Sequence, residues 1–226
     1  MSELSVRFAD VQGQISNRLT ELGRPRSEVE LIVVSKNHPA DLVRELYALG
    51  QRSFGENRDQ EASPKAEATD DLGDLDWHFV GQLQSNKVKS VLGYAKYIHS
   101  LDRTTLLTSL GRELEKTGGS VGAFIQLNLT DDPGRGGIQP ADLILFADAV
   151  ARMPQIRLMG VMGVAALGRD PRIDFETIGK ASQLLRQQHG GAKYISAGMS
   201  HDWAEALEFG ATHLRIGTAI TGTRNP

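Results

Sequence analysis

The sequence contains no cysteine and no long apolar run, and each absence excludes classes of protein. A chain without cysteine forms no disulfide, carries no thiol nucleophile and builds no cysteine-ligated zinc or iron–sulfur site. No apolar run approaches the roughly 20 residues that a membrane-spanning helix needs. The first residues also lack the basic flank and apolar stretch of a signal peptide. We therefore expect a cytoplasmic protein with no membrane among its partners.

An excess of charge of either sign is also missing. The 25 basic and 28 acidic residues leave a formal net charge of −3, whereas nucleic-acid-binding domains are usually strongly basic. Hydrophobic residues make up 40% of the chain and charged residues 23%, which is typical of folded globular domains. We expect no nucleic-acid partner, and we expect a monomer rather than an oligomer.

Short apolar runs alternate with helical periodicities along the 226 residues. Helices are predicted over residues 39–49, 140–153 and 201–209, whereas Pro64 should break or kink the helix after the second strand. The strands are predicted to begin near Leu31, Ser53, Trp77, Tyr97, Val121, Ile156, Tyr194 and His213. This alternation predicts an α/β fold, a single (β/α)8 TIM-type barrel domain over residues 1–226. An open doubly wound sheet is the alternative, because periodicity does not distinguish the two.

The N-terminal segment supplies a helix that the alternation does not need. One face of an amphipathic helix is formed by Phe8, Val11, Ile15, Leu19 and Leu22. Only residues 219–226 follow the last predicted strand, too few for a standard eighth helix. We therefore expect the extra N-terminal helix to cover that gap in the barrel.

Lys36 is a candidate functional residue because it follows the apolar run of the first strand. Catalytic and binding residues of such barrels lie at the carboxyl ends of the strands. A lysine that loses hydration there has a lowered pKa, and its neutral amine can form a Schiff base. The alternative is a lysine whose ammonium simply extends to the surface.

Ser200 and the segment that contains Arg215, Gly217 and Thr218 form a second candidate site. Barrels often bind phosphate at the loops after strands seven and eight. A helix N-terminus after Ser200 would offer free N–H groups to an anion, and Gly217 would let the backbone approach it. The alternative is that Ser200 only caps the following helix.

The six histidines show no zinc-binding spacing, so no metal site is predicted.

Several blocks of the sequence resemble one known family. They are VVSK (33–36), GQRSFGEN (50–57), WHFVGQLQSNK (77–87), SLDR (100–103), GMS (198–200) with Asp202, and RIGTAI (215–220). Together they resemble the pyridoxal 5′-phosphate (PLP) homeostasis protein family, whose barrel is similar to the N-terminal domain of alanine racemase. The sequence departs from the family pattern at residues 162–166, at Thr221 and at Arg135.

The resemblance implies a cofactor site and a function. Lys36 would carry PLP as a Schiff base, and Arg215 would face the pyridine nitrogen. Ser200, Gly217 and Thr218 would hold the phosphate, while Asn57 and His78 would line the pocket. The implied function is PLP homeostasis: buffering and supply of the cofactor, with effects on amino-acid and keto-acid balance. No turnover and no catalytic residue are expected, and apo PLP-dependent enzymes are the implied partners.

Two enzymatic alternatives stay open. A PLP-dependent racemase or lyase would need a second acid/base opposite Lys36, and Tyr94 and Tyr97 lie too early in strand four to provide it. The chain also ends at Pro226, so we expect no second, racemase-type domain. A Schiff-base aldolase would instead use Lys36 on a carbonyl substrate without a cofactor.

Overall fold

A closed barrel of eight parallel strands forms the centre of the computed structural model, which describes residues 2–130, 132 and 134–222. The strands are β1 (Glu30–Val34), β2 (Ser53–Glu56), β3 (Asp76–Phe79), β4 (Ala95–Leu101), β5 (Val121–Gln126), β6 (Ile156–Met162), β7 (Tyr194–Ser196) and β8 (His213–Ile216). Each strand pairs with the next along the chain, and β8 pairs with β1 in parallel to close the circle. The predicted (β/α)8 barrel is confirmed, and the alternative prediction of an open doubly wound sheet is wrong.

Helices surround this barrel. In the described part of the chain they are α1 (Glu3–Glu21), α2 (Ala40–Ala48), α3 (Asp59–Glu67), α4 (Val88–Leu92), α5 (Thr104–Thr117), α6 (Leu143–Ala151), α7 (Pro171–Gln188), α8 (Trp203–Glu208) and α9 (Thr218–Thr221). Leu214 and Ile216 of β8 pack into the apolar core beneath these helices. His213 and Arg215, which alternate with them, point into the barrel because successive strand residues face opposite sides. None of the helices formed by the described residues is long and apolar enough to cross a membrane.

The extra N-terminal helix lies where the sequence predicts it. Because α9 has only four residues, it cannot cover the last strand alone. The Arg7 side chain of α1 donates from Nε to the carbonyl oxygen of Ile220 at 2.8 Å. Beyond the other end of α1, Arg24 donates to the carbonyl oxygens of Leu207 and Ala211 at 2.8 and 2.9 Å. The helix is thereby fixed across the gap in the outer layer.

The break predicted at Pro64 does not occur. Pro64 lies inside α3, which continues to Glu67. Proline removes the hydrogen bond to the carbonyl of Gln60, but Gln60 is exposed, so water can replace the lost partner. Ala62 and Lys65 of the same helix are buried against the barrel, and this packing holds α3 together.

Candidate cofactor-binding site

Lys36 lies in a tight turn directly after β1. The turn comprises residues 35–38 and is called here the Lys36 turn; its His38 N–H donates to the Ser35 carbonyl at 3.1 Å. Asn37 has a φ of 64°, in the left-handed region that asparagine tolerates better than most residues. Lys36 itself is exposed, so the loss of hydration expected from its sequence position is absent. The reason is that the turn projects the residue beyond the end of the buried strand.

A buried ionic cluster anchors this turn from outside the barrel. It comprises Ser35, Glu56 and Lys65 and is called here the Glu56 cluster. Ser35 Oγ donates to Glu56 Oε1 at 2.7 Å, and Lys65 Nζ donates to the Ser35 carbonyl at 2.9 Å while it pairs with the Glu56 carboxylate. Glu56 is 0% and Lys65 6% exposed. Burial raises the pKa of Glu56, and the neighbouring Lys65 ammonium opposes that rise.

Ser200 joins the loop after β7 to the helix after β8. Its Oγ accepts from the Ala219 N–H at 3.4 Å and from Thr218 Oγ1 at 3.3 Å. Gly217 lies just before this helix, and a Cβ there would be 3.3 Å from the Val34 carbonyl oxygen. These four residues, Ser200, Gly217, Thr218 and Ala219, are called here the Ser200 cup. The cup therefore brings three predicted phosphate ligands together beside β1.

The alternative role of Ser200, as a helix cap, is wrong. Helix α8 begins at Trp203 rather than at residue 201, and Asp202 occupies its N-cap position. Asp202 Oδ1 accepts from the Met199 N–H at 2.6 Å, which fixes the loop that precedes the helix. The Ser200 hydroxyl therefore does not cap α8 and instead contacts Thr218 and Ala219 of α9.

Arg215 lies inside the barrel below its carboxyl-terminal mouth. Its Nη2 donates to the Gly163 carbonyl at 2.9 Å, and its Nη1 donates to Ser196 Oγ. Burial lowers the pKa of Arg215 to about 10, while Asp202 acts in the opposite direction. The guanidinium therefore remains charged at neutral pH.

A chain of hydrogen bonds leads from Arg215 into the barrel. Ser196 Oγ is 2.8 Å from His99 Nδ1, and His99 Nε2 is 3.0 Å from His78 Nδ1. Arg215, Ser196, His99 and His78 are called here the histidine chain. Burial lowers the pKa of both histidines well below the ordinary value, so both rings are neutral near pH 7.

The direction of donation along this chain follows from Arg215. Since Ser196 accepts from the guanidinium, its own hydroxyl proton finds an acceptor at His99 Nδ1. His99 then carries its proton on Nε2 and donates to His78 Nδ1, which leaves the proton of His78 on Nε2. His78 Nε2 is buried without a partner among the described residues. The opposite direction would leave two buried groups unpaired instead of one, so this assignment is the more stable.

His78 is not at the mouth with the other predicted residues. It is 2% exposed and stacks on Tyr97 with ring centroids 4.5 Å apart. Its connection to Arg215 passes through His99 and Ser196. The structure therefore places His78 in the barrel interior, and its role in lining the pocket stays a prediction.

Asn57 follows β2 and borders a cavity at the mouth. The cavity has a volume of about 510 Å³ and is also lined by Phe79 and Lys87. The β3 end packs tightly against Asn57, since a Cβ on Gly81 would lie only 2.1 Å from the Asn57 carbonyl oxygen. Glycine at position 81 is therefore required for this close approach.

Several members of these clusters were not predicted from the sequence. Glu56 directly precedes Asn57 and Ser196 ends β7, whereas Lys65 and His99 belong to no chemical motif. Alternate residues of a strand face the same side, so His213 and Arg215 of β8 share the barrel interior. The same alternation, applied to the neighbouring strands, would have placed their polar residues inside the barrel as well. No group of three or more histidine, aspartate or glutamate side chains suited to a metal is found in residues 2–130, 132 and 134–222.

Comparison with known proteins identifies the family. A family described as "Alanine racemase, N-terminal domain" matches residues 13–225. The pyridoxal phosphate homeostasis protein of Escherichia coli is 36% identical over 230 residues, covering 100% of this chain and 98% of that protein. This chain belongs to the pyridoxal phosphate homeostasis protein family. The resemblance stated from the sequence blocks is thereby confirmed.

Solved structures agree with this membership of the family. PipY of Synechococcus elongatus, solved with PLP bound, is 39% identical and superposes with a TM-score of 0.82, covering 92% of this chain and 100% of that one. Alanine racemase of Streptomyces coelicolor is 17% identical with a TM-score of 0.75, covering 98% of this chain and 59% of that one. The similarity to this alanine racemase concerns the fold alone.

Proposed function

We propose that this protein binds pyridoxal 5′-phosphate at the mouth of its barrel, with Lys36 as the covalent attachment point, and acts in PLP homeostasis. The observation that carries the proposal is the grouping of three kinds of group at one end of the barrel. An exposed primary amine follows β1, the Ser200 cup follows β7 and β8, and the buried guanidinium of Arg215 lies below them. The membership in the family supports the same function.

The residues present fit the chemistry of this cofactor. An aldehyde, a phosphate and a pyridine nitrogen require an amine, hydrogen-bond donors and a polar partner, and the mouth offers each of them. The Lys36 amine would hold the cofactor through its aldehyde, and bound PLP would supply an electron-withdrawing pyridine ring at this end of the barrel. The Thr218 hydroxyl and the backbone of the Ser200 cup would hold the phosphate, with Gly217 leaving room for it.

Arg215 supports holding of the cofactor rather than turnover. Its guanidinium keeps its proton at neutral pH, since its pKa is about 10. A permanent cation beside the pyridine nitrogen disfavours protonation of that nitrogen and makes the ring a weaker electron sink. We therefore propose that the protein carries or buffers the cofactor and does not turn over amino acids.

The positions of the tyrosines also argue against a racemase. Tyr47 and Tyr94 bind Asp74 and Asp59 in the outer layer of the molecule. Tyr97 is the third residue of β4 and Tyr194 is the first residue of β7, and both border cavities at the opposite end of the barrel. None of the four tyrosines of this chain is therefore placed to act as an acid/base opposite Lys36.

An absorbance spectrum followed by borohydride reduction tests the cofactor site. We expect purified protein with PLP to be yellow and the reduced adduct to map to the Lys36 peptide. Lys36→Ala should remove the adduct, whereas Lys89→Ala, which changes another exposed lysine, should keep it. A wild-type protein that stays colourless and unmodified would overturn the proposal. Borohydride trapping only after a carbonyl substrate is added would favour the aldolase.

A separate assay tests the proposed lack of turnover. The loaded protein is incubated with single-enantiomer amino acids, and the products are resolved by chiral chromatography. We expect no conversion above that given by free PLP. Racemization or elimination that disappears in Lys36→Ala would make the protein an enzyme. The monomeric state, the cytoplasmic location and transfer to apo-enzymes stay predictions.

A further inference from the structure

We propose that helix α3 is a positioning element for the cofactor lysine, and that Lys65 and Glu61 are its positioning residues. This inference rests on the proposed function only in that Lys36 is taken as the point of attachment. Neither residue is assigned a role by the resemblance to the family. The proposal concerns the Lys36 turn, whose polar groups α3 binds on both sides of Lys36.

The residue before Lys36 is fixed at two atoms. The Ser35 carbonyl accepts from the His38 N–H at 3.1 Å and from Lys65 Nζ at 2.9 Å. The Ser35 hydroxyl donates to Glu56 at 2.7 Å. The main chain that enters the turn is therefore held by the Glu56 cluster.

The residue after Lys36 is fixed by the same helix. The Asn37 N–H donates to Glu61 Oε2 at 2.8 Å. Glu61 and Lys65 are four residues apart in α3 and lie on one face of it. This face binds the turn on either side of Lys36 and leaves the Lys36 side chain itself exposed.

The energetics of Lys65 suggest a purpose other than packing. A buried ion pair is often no more stabilising than apolar side chains of the same size. Lys65 is 6% exposed, and a methionine would fill similar space without loss of hydration. A methionine lacks both the countercharge for Glu56 and the donor to the Ser35 carbonyl, and only the second of these acts directly on the Lys36 turn.

The conformation of Asn37 explains why the Lys36 turn needs the contacts from Glu61 and Lys65. A φ of 64° is uncommon for a residue other than glycine. Free of its partner on α3, the turn would sample other conformations and carry the Lys36 amine away from the Ser200 cup. Fixing the turn before the cofactor arrives keeps the amine within reach of the aldehyde, which raises the rate of capture.

The test compares two variants with matched controls. Lys65→Met removes the donor to Ser35, and Glu61→Ala removes the acceptor for Asn37 while alanine keeps the helix. Glu67→Ala makes the same change at an exposed position of α3, and Lys180→Met removes an exposed lysine of α7. Glu61→Gln keeps the acceptor oxygen but removes the charge, which matters because Glu61 also faces Arg58 at 4.0 Å.

Two readouts are measured on each protein. The first is amide hydrogen exchange of Asn37 and His38 without cofactor, and the second is the rate constant of PLP addition followed by absorbance. We expect about tenfold slower addition and faster exchange in Lys65→Met, and about threefold slower addition in Glu61→Ala. Glu61→Gln should add PLP at close to the wild-type rate, and both controls should match the wild type in addition rate and in amide exchange.

The outcomes separate this inference from the proposed function. If the wild-type protein does not bind PLP, the proposed function fails. Amide hydrogen exchange at Asn37 and His38 still tests whether Glu61 and Lys65 fix the Lys36 turn. If the wild type binds but Lys65→Met and Glu61→Ala add PLP at the wild-type rate with unchanged exchange, the inference is overturned. If Lys65→Met does not fold, Glu61→Ala decides by the same two readouts, since Glu61 is only partly buried.

Discussion

The two buried polar clusters next to the candidate site differ in charge and in what they hold. The Glu56 cluster is ionic and lies between the barrel and α3. The histidine chain lies inside the barrel and, apart from Arg215, is neutral. The first binds backbone, the carbonyl of Ser35, whereas the second ends on a side chain, the guanidinium of Arg215.

This difference shows two ways to fix a binding group. An exposed lysine in a turn is positioned through its main chain, so strong donors and acceptors on a neighbouring helix are required. A buried arginine is positioned through its own five N–H donors, for which a hydroxyl and a carbonyl suffice. Each cluster leaves one buried atom without a partner among the described residues: Glu56 Oε2 and His78 Nε2.

Breaking the ionic cluster should have the largest effect on stability. Lys65→Met should lower the free energy of unfolding by about 3 to 5 kcal/mol at pH 8, because the Glu56 carboxylate stays buried without a countercharge. Urea unfolding of the protein without cofactor measures this. The loss should be smaller at pH 6, since burial already raises the pKa of Glu56 and favours its protonation.

The matched control neutralises both partners. Lys65→Met combined with Glu56→Gln leaves no buried charge and should regain part of the loss. A single Lys65→Met variant that unfolds with the wild-type free energy would show that Glu56 is not held as an ion in this cluster.

The architecture of the barrel was predictable because each strand and helix is indicated by a pattern within its own short stretch of sequence. Runs such as residues 31–34 are apolar on both faces, as parallel strands between helices must be, and Lys36 follows from the end of that run. The N-terminal helix was predictable from its apolar face and from the short segment after β8. The break predicted at Pro64 was wrong, because the burial of Ala62 and Lys65 stabilises α3 by more than one missing hydrogen bond costs.

The clusters were not predictable, because their members come from distant parts of the chain. Lys65 reaches Ser35 across 30 positions, and His99 reaches Ser196 across 97. Such pairs depend on strand register and barrel closure, which periodicity does not specify. Ser200 shows the same limit: its sequence context suits a helix cap, but its partner is Ala219 of another helix.

Lowering the pH should have the next largest effect on stability, because the histidines buried inside the barrel resist protonation. Burial, with a contribution from Arg215, lowers the pKa of His213 from 6.5 to about 4. Between these values the unfolded chain binds a proton that the folded chain does not, so stability falls as pH falls. The difference between these two pKa values corresponds to about 3 kcal/mol of stability, which is present above pH 6.5 and lost by about pH 4. His78 and His99 shift in the same direction and add to this loss.

His213→Phe should flatten this dependence. Unfolding free energies measured from pH 8 to pH 4 should fall less steeply than those of the wild type. His201→Asn, at an exposed position, serves as the control and should keep the wild-type slope. Equal slopes in the wild type and His213→Phe would mean that His213 is not buried in the neutral form.

Ser196→Ala should break the histidine chain at its centre. It removes the acceptor of Arg215 Nη1 and the donor to His99 Nδ1, both of them buried. The expected loss is about 2 kcal/mol, because a buried charged donor is left without a partner. Unfolding in urea gives the magnitude, and ¹⁵N chemical shifts of the imidazoles should show that His99 no longer keeps a single tautomer. A variant with the wild-type tautomer would contradict the direction of donation along the chain.

The same change in the ionic cluster should cost less. Ser35 is as buried as Ser196, but Ser35→Ala leaves Glu56 Oε1 bound to Lys65 and leaves the Ser35 carbonyl with its two donors. One hydrogen bond to a charged group is lost, so we expect about 1 kcal/mol in urea unfolding. The pair of serine variants thus compares the clusters with one chemical change. A loss at Ser35 equal to or larger than that at Ser196 would mean that the hydroxyl, rather than Lys65, holds Glu56 in place.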